Sequence, residues 1–253
     1  MKSTLTALSI AALGTLCAGN SLAYQTFLGE DSNGNPMVIP AITNSTNAQA
    51  AFFGFGMPQV EGFENQSIGP GPLTLAFGSG NTAVNATLSG VNGAVQSVVG
   101  TPTDGRFSVP GGNQFWAATA SSRSDSFNIA FSGDVEAFGF FGIDIGDFGG
   151  VLSMELLDAA GNMIGAGIPV NTLASGQDGS VLYFGIRAQS QSEWFRGIRF
   201  RLTNSTTLND AFAFDSFTVV GAPRTPPGQV PEPGTLALAG LALVGASLLR
   251  RRS

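Results

Sequence analysis

Through the C-terminal half of the chain, apolar side chains recur at every second position, and this period of two limits the fold more than any other feature. Phe127, Ile129 and Phe131 alternate with Asn128 and Ala130; Leu152, Met154 and Leu156 alternate with Ser153 and Glu155; Ile198, Phe200 and Leu202 alternate with Arg199 and Arg201. A strand puts successive side chains on opposite faces, whereas a helix does not. Residues 137–145 form a nearly continuous apolar run, the pattern of a strand covered on both faces. Strands are also predicted over 181–186 and 212–220, and over 73–77 and 83–88 in the first half. Asp147-Phe148-Gly149-Gly150 and the hairpin signal Asp158-Ala159-Ala160-Gly161-Asn162 supply turns. Residues 44–53 read as one short helix with Ala48, Ala51 and Phe52 on a common face. The expected fold is all-β, an antiparallel β-sandwich of jelly-roll type.

Composition agrees and excludes much chemistry. Hydrophobic residues make up 43% and charged residues only 11%, which rules out a disordered polyelectrolyte. There is no His; Lys2 is the one lysine and Cys17 the one cysteine. Ser-His-Asp and Cys-His catalysis lack their base, zinc lacks its usual ligands, and no Gly-rich loop precedes a lysine. Between Tyr24 and Gln229 stand 16 acidic residues and 7 arginines, a net of −9. Phosphate backbones repel such a body, so no nucleic-acid partner is expected.

The two ends read as addresses. Residues 1–23 form a signal peptide: Lys2, an apolar stretch from Leu5 to Ala18, then Ser21-Leu22-Ala23, with signal-peptidase cleavage expected before Tyr24. At the other end stand Val230-Pro231-Glu232-Pro233-Gly234, an apolar stretch over 235–249, and the cluster Arg250, Arg251 and Arg252. The arginines act as a stop-transfer signal and place the C-terminus in the cytoplasm and the body outside. As a helix the apolar stretch spans about 22 Å, short for a hydrocarbon core of about 30 Å. It suits a transient transmembrane helix better than a permanent anchor. Between body (24–220) and tail (230–253), residues 221–229 read as a Pro/Gly-rich linker.

This tail resembles the PEP-CTERM sorting signal of Gram-negative bacteria. The resemblance implies recognition of Val230 to Gly234 by an exosortase-type membrane protease. It also implies an exported protein of the cell envelope or extracellular matrix, held in the membrane until processing. Gly62-Phe63-Glu64, Gly105-Arg106-Phe107, Phe115-Trp116, residues 137–148, Phe184-Gly185-Ile186 and residues 212–217 resemble pieces of exported PEP-CTERM proteins. These proteins are similar in outline to carbohydrate-binding jelly rolls. From this we expect a non-catalytic protein associated with exopolysaccharide, or alternatively a lectin-like carbohydrate-binding module.

Candidate sites follow. Calcium takes oxygen ligands, and the resemblance implies a calcium site tying the first strand to the last through Glu64 and Asp215. Asp31-Ser32-Asn33-Gly34-Asn35 begins like an EF-hand loop, but Pro36 and Ile42 replace its Gly and Glu, so a turn is expected. Trp116 and Trp194 are candidates to stack on sugar rings. Arg196, Arg199 and Arg201 form a basic stripe, with Arg199 and Arg201 candidates for an acidic polysaccharide. Asp144 and Asp147 are the nearest thing to a glycosidase pair, but Asp at a strand-to-turn junction commonly serves local hydrogen bonding.

Overall fold

The structure, a computed structural model, describes residues 24–223 apart from 55, 57, 91, 103, 110, 121–124, 147–150, 171–177 and 204–209. The signal segment, Val230 to Gly234, Arg250 to Arg252, residues 224–229 of the linker, and Asp147 lie outside the described residues.

The order of elements is β1 (Gln25–Asp31), α1 (Thr43–Phe53), β2 (Gln59–Glu61), β3 (Gly69–Pro70), β4 (Leu73–Phe77), β5 (Val84–Gly90), β6 (Ala94–Ser97), β7 (Gln114–Ala120), β8 (Asp125–Ile143), β9 (Val151–Leu157), β10 (Ile168–Val170), β11 (Val181–Arg187), β12 (Phe195–Thr203) and β13 (Asp210–Gly221). Strand pairs are antiparallel, and the 19-residue β8 organises them. Its first part lies between β5 and β12, which both place a residue opposite Ile129. Its second part lies between β11 and β13, with Phe184 opposite Phe140 and Phe214 opposite Gly142. Two halves of a sandwich therefore share one strand: β4-β5-β8-β12-β9-β10 and β1-β11-β8-β13-β7-β6-β3, with β2 on the C-terminal part of β13.

The period-two residues meet between these halves. Phe127, Ile129, Leu152, Met154, Ile198 and Phe200 from one half share a core with Phe138, Phe140, Phe184, Phe212 and Phe214 from the other. Phe127 stacks on Phe200 at 4.5 Å, and Phe140 meets Phe200 edge-on at 5.4 Å. Odd-numbered residues of β8 face this core before its bend and even-numbered ones after it. The change of phase falls between Val135 and Phe138, at the register irregularity where Val220 lies opposite Ala137 and Gly221 opposite Val135. The sequence therefore reads as two strands where the structure has one.

The second half-sandwich is covered on its outer face too. Phe27, Phe52, Phe107, Val109, Phe115, Phe141, Ile143, Val181 and Tyr183 form a second core there, as the apolar run over 137–145 required. Helix α1 lies on this face, with Phe52 edge-on to Phe27 at 5.4 Å and to Tyr183 at 6.0 Å. Gly185 permits the approach, since a Cβ there would sit 2.7 Å from the Phe52 ring. The buried face of α1 is Ser45, Ala48 and Phe52, and Ala51, expected on it, is exposed. Asp31 sets that rotation: its carboxylate accepts the N–H groups of Asn44 (2.8 Å) and Ser45 (2.9 Å) and the Ser45 hydroxyl. It stands in for the cap that Ile42 cannot make.

Candidate functional site

The loop from Asp104 to Gln114 crosses the outer face of the second half-sandwich, and carboxylates from distant parts of the chain hold it there. Asp215 lies in β13 where the register jumps between Asp215 and Thr218. A bulge stands there, and Asp215 is only 1% exposed. Its Oδ2 accepts the Ser108 hydroxyl (2.6 Å) and the Val109 N–H (2.8 Å), and its Oδ1 accepts the Ser216 N–H at 2.5 Å. Glu64 Oε1 accepts the N–H groups of Asn113 (2.8 Å) and Gln114 (2.7 Å). A Cβ on Gly112 would lie 2.3 Å from Glu64 Oε1 and 3.1 Å from the Ser108 hydroxyl, so Glu64 and Asp215 grip one loop from two sides. Burial pushes the Asp215 carboxyl up to about 8, against the hydrogen bonds of Ser108, Ser216 and Val109, and the nearby Glu64 charge adds to the rise.

The donor set at this point is all oxygen: two carboxylates, the Ser108 hydroxyl and the Gly111 carbonyl that it contacts at 3.1 Å. That chemistry suits a hard cation. Among the described residues no group of three or more His, Cys, Asp or Glu side chains gathers to hold a metal. A calcium ion would therefore need carbonyls and water to complete its shell. The Asp31–Asn35 segment is a turn, as expected: Asn33 Oδ1 accepts the N–H of Gly34 (2.9 Å) and Asn35 (3.2 Å), while Asp31 is spent on α1.

Asp144 ends β8 in the left-handed region at φ 63° and is 4% exposed. Its Oδ1 accepts the Gly179 N–H at 2.8 Å. Burial pushes its carboxyl up to about 7; the Gly179 bond opposes this, the charges of Asp178 and Asp210 add to it, and Arg106 opposes it. Asp178 and Asp210 escaped the sequence reading, because they arrive from the turn before β11 and the start of β13 with no local pattern linking them to Asp144.

The aromatic and basic candidates divide. Trp116 is not a ligand platform: it is 0% exposed and faces the core between the half-sandwiches, 6.5 Å from Phe127. A Cβ on Gly93 would lie 2.3 Å from its ring, so Gly93 exists to seat it. Arg199 and Arg201 do not present a free basic stripe. Both bind Glu155, Arg199 at 3.0 Å, and Arg196 binds Asp134 at 2.7 Å. Burial acts to raise the Glu155 carboxyl, but the bonds and charges of Arg201 and Arg199 outweigh it and hold the group below the usual carboxylate range.

Trp194, by contrast, is partly exposed. It lines a surface hollow of about 460 Å³ with Gln25, Glu136, Arg187, Gln189 and Gln191. The sequence reading missed its partners. The one signal available was the polar run Arg187 to Glu193 placed between two strands and ending on a tryptophan.

No curated protein matches the chain in sequence. Among solved structures, the K2 cleaved adhesin domain of Lys-gingipain is similar at 12% identity, with 66% of this chain and 99% of that one covered and a TM-score of 0.40. A family 61 carbohydrate-binding module in complex with β-1,4-galactotriose is similar at 15% identity, covering 54% and 88%, with a TM-score of 0.31. The family 11 carbohydrate-binding module of a Clostridium thermocellum cellulosomal cellulase is similar at 9% identity, covering 68% and 99%, with a TM-score of 0.28. Residues 229–252 match the PEP-CTERM protein-sorting motif. A β-sandwich body thus precedes a PEP-CTERM sorting signal, which marks an exported protein of the cell envelope.

Proposed function

We propose that this is a non-catalytic protein of the cell surface or extracellular matrix, delivered by an exosortase-type protease that acts on residues 230–253, and that its body associates with exopolysaccharide. The observation that carries the reading is the sorting motif over 229–252 at the end of a β-sandwich. An acidic body without His, and without Lys or Cys after residue 23, agrees with a role in binding more than in covalent chemistry. Asp144 agrees too: its carboxylate faces the Gly179 N–H and the carboxylates of Asp178 and Asp210, an arrangement internal to the fold. Calcium belongs to the same proposal, with Glu64, Asp215 and the Ser108 hydroxyl as the residues that would hold it; bound there, it would tie the Asp104–Gln114 loop to β13.

The test is fractionation of the producing cells combined with co-sedimentation on their isolated exopolysaccharide. The protein is expected in the envelope or matrix fraction and in the polysaccharide pellet. Recovery of the mature chain from the cytoplasm would sink the export reading, and an empty pellet the exopolysaccharide reading.

A further inference from the structure

Resting on the exopolysaccharide reading, we propose that the hollow walled by Trp194 is the site that takes a neutral pyranose residue of such a polymer. The hollow's volume, about 460 Å³, falls in the range of roughly 300–1,000 Å³ typical of small-molecule sites. Its wall joins an aromatic face to hydrogen-bonding groups of both senses. Trp194 offers a partly exposed indole, and Gln25, Gln189 and Gln191 offer amides that donate and accept. A pyranose presents the same two characters, an apolar C–H face and a rim of hydroxyls.

Charge selects within the sugars. The charged groups of the lining are Arg187 and Glu136, and they pair with each other: Arg187 Nε (3.1 Å) and Nη2 (2.9 Å) both donate to Glu136 Oε1. The pair is electrically balanced, and both of these bonds fall on Glu136 Oε1. A diol can bridge such a pair at no charge cost. A uronic acid would set its carboxylate against Glu136 and compete for Arg187, so the neutral sugar is favoured. Cleavage is not expected at this place, because it needs two carboxylates about the scissile bond and among the described residues the lining holds one.

The hollow is built in advance. Glu193, 6% exposed, lies beneath the loop, and its carboxylate accepts the Gln189 N–H at 2.6 Å. The Tyr24 hydroxyl donates to the Glu193 carbonyl at 2.8 Å, and the Ala188 N–H donates to the Glu136 carbonyl at 2.8 Å. A 3-10 turn over Gln191–Glu193 delivers Trp194. Little ordering is then left for the ligand to impose, which raises affinity.

The chain has two tryptophans, and Trp116 is sealed in the core, so tryptophan fluorescence reports on Trp194. The full exported protein is titrated with cellotetraose, β-1,4-galactotriose, mannotetraose and trigalacturonate. Saturable fluorescence change is expected with at least one neutral oligosaccharide and at least tenfold weaker binding of trigalacturonate. By calorimetry, Trp194→Ala is expected to lose at least tenfold in affinity and Trp194→Phe to keep part of it. Should Trp194→Ala misfold, the surface variant Gln189→Ala/Gln191→Ala is expected to weaken binding about tenfold with an unchanged melting curve. Silence toward every neutral glycan, preference for trigalacturonate, or wild-type affinity in these variants overturns the site. Co-sedimentation separates the two claims: Trp194→Ala pelleting with exopolysaccharide as well as wild type leaves the general reading standing and removes the site, while neither pelleting removes the general reading.

Discussion

Asp144 shows how one buried carboxyl makes stability depend on pH. Its folded value, about 7, lies above the ordinary aspartate value of 3.8 because burial penalises the charge. The folded state therefore holds the proton more tightly than the unfolded chain. Its contribution is full below about pH 4 and is lost as pH rises through 7. In EDTA the melting temperature is expected to fall between pH 5 and pH 8, by the equivalent of a few kcal/mol. Asp144→Asn is expected to reduce that slope when the melts are repeated, leaving the share of Asp215, whose folded value is about 8; an equally steep slope in the variant would assign it to other groups. Asp215 carries the calcium prediction. Calcium at 100 times its dissociation constant should stabilise the fold by about 2.7 kcal/mol, EDTA should remove the gain, and Asp215→Ala should abolish the response. Identical melts with and without calcium in the wild type would reduce Asp215 to its bonds with Ser108, Val109 and Ser216.

At the level of elements, α1 depends on β1 for its beginning. The helix has no side-chain cap of its own, and Asp31 accepts two of its first N–H groups. Asp31→Ala is expected to cost about 1–2 kcal/mol and to raise hydrogen exchange in residues 43–48 ahead of the strands. Uniform exchange changes across the sandwich would show instead that α1 and the sheets unfold as one. Within the strands, Phe140 touches rings from both halves: Phe184 at 6.1 Å, Phe200 at 5.4 Å and Phe214 at 5.5 Å. Phe140→Ala should cost about 3–5 kcal/mol by chemical denaturation, far above the cost of the solvent-facing Val151→Ala.

For the whole molecule, the sorting tail makes the decisive prediction. Among the described residues no helix is long and apolar enough to cross a membrane, and the prediction concerns residues 230–253. Replacing Pro231-Glu232-Pro233 with three alanines removes two helix breakers ahead of the apolar stretch. The variant is expected to accumulate as a larger, membrane-bound species that keeps Arg250 to Arg252, whereas the wild type loses its tail. Mass spectrometry of both fractions reads the result; equal masses and equal locations would make the tail a plain anchor.

What the chain declares locally, the sequence alone determined. Period two named the strands of the core, the apolar run over 137–145 announced a strand covered twice, and residues 229–252 carried their own motif. These are signals written by neighbours, since strand alternation and a linear recognition element need no distant partner. The tertiary structure decided everything that depends on residues far apart in the chain. It joined two predicted strands into β8 through a change of phase, and rotated α1 toward Asp31. Two tryptophans with similar neighbours met opposite fates. Trp116 was drawn into the core, where Gly93 makes room for its ring, and Trp194 was left at a rim built from β1, β8 and β11. Burial is a property of the packed assembly, set by which sheet comes to lie above a residue, and alternation along one strand cannot state it.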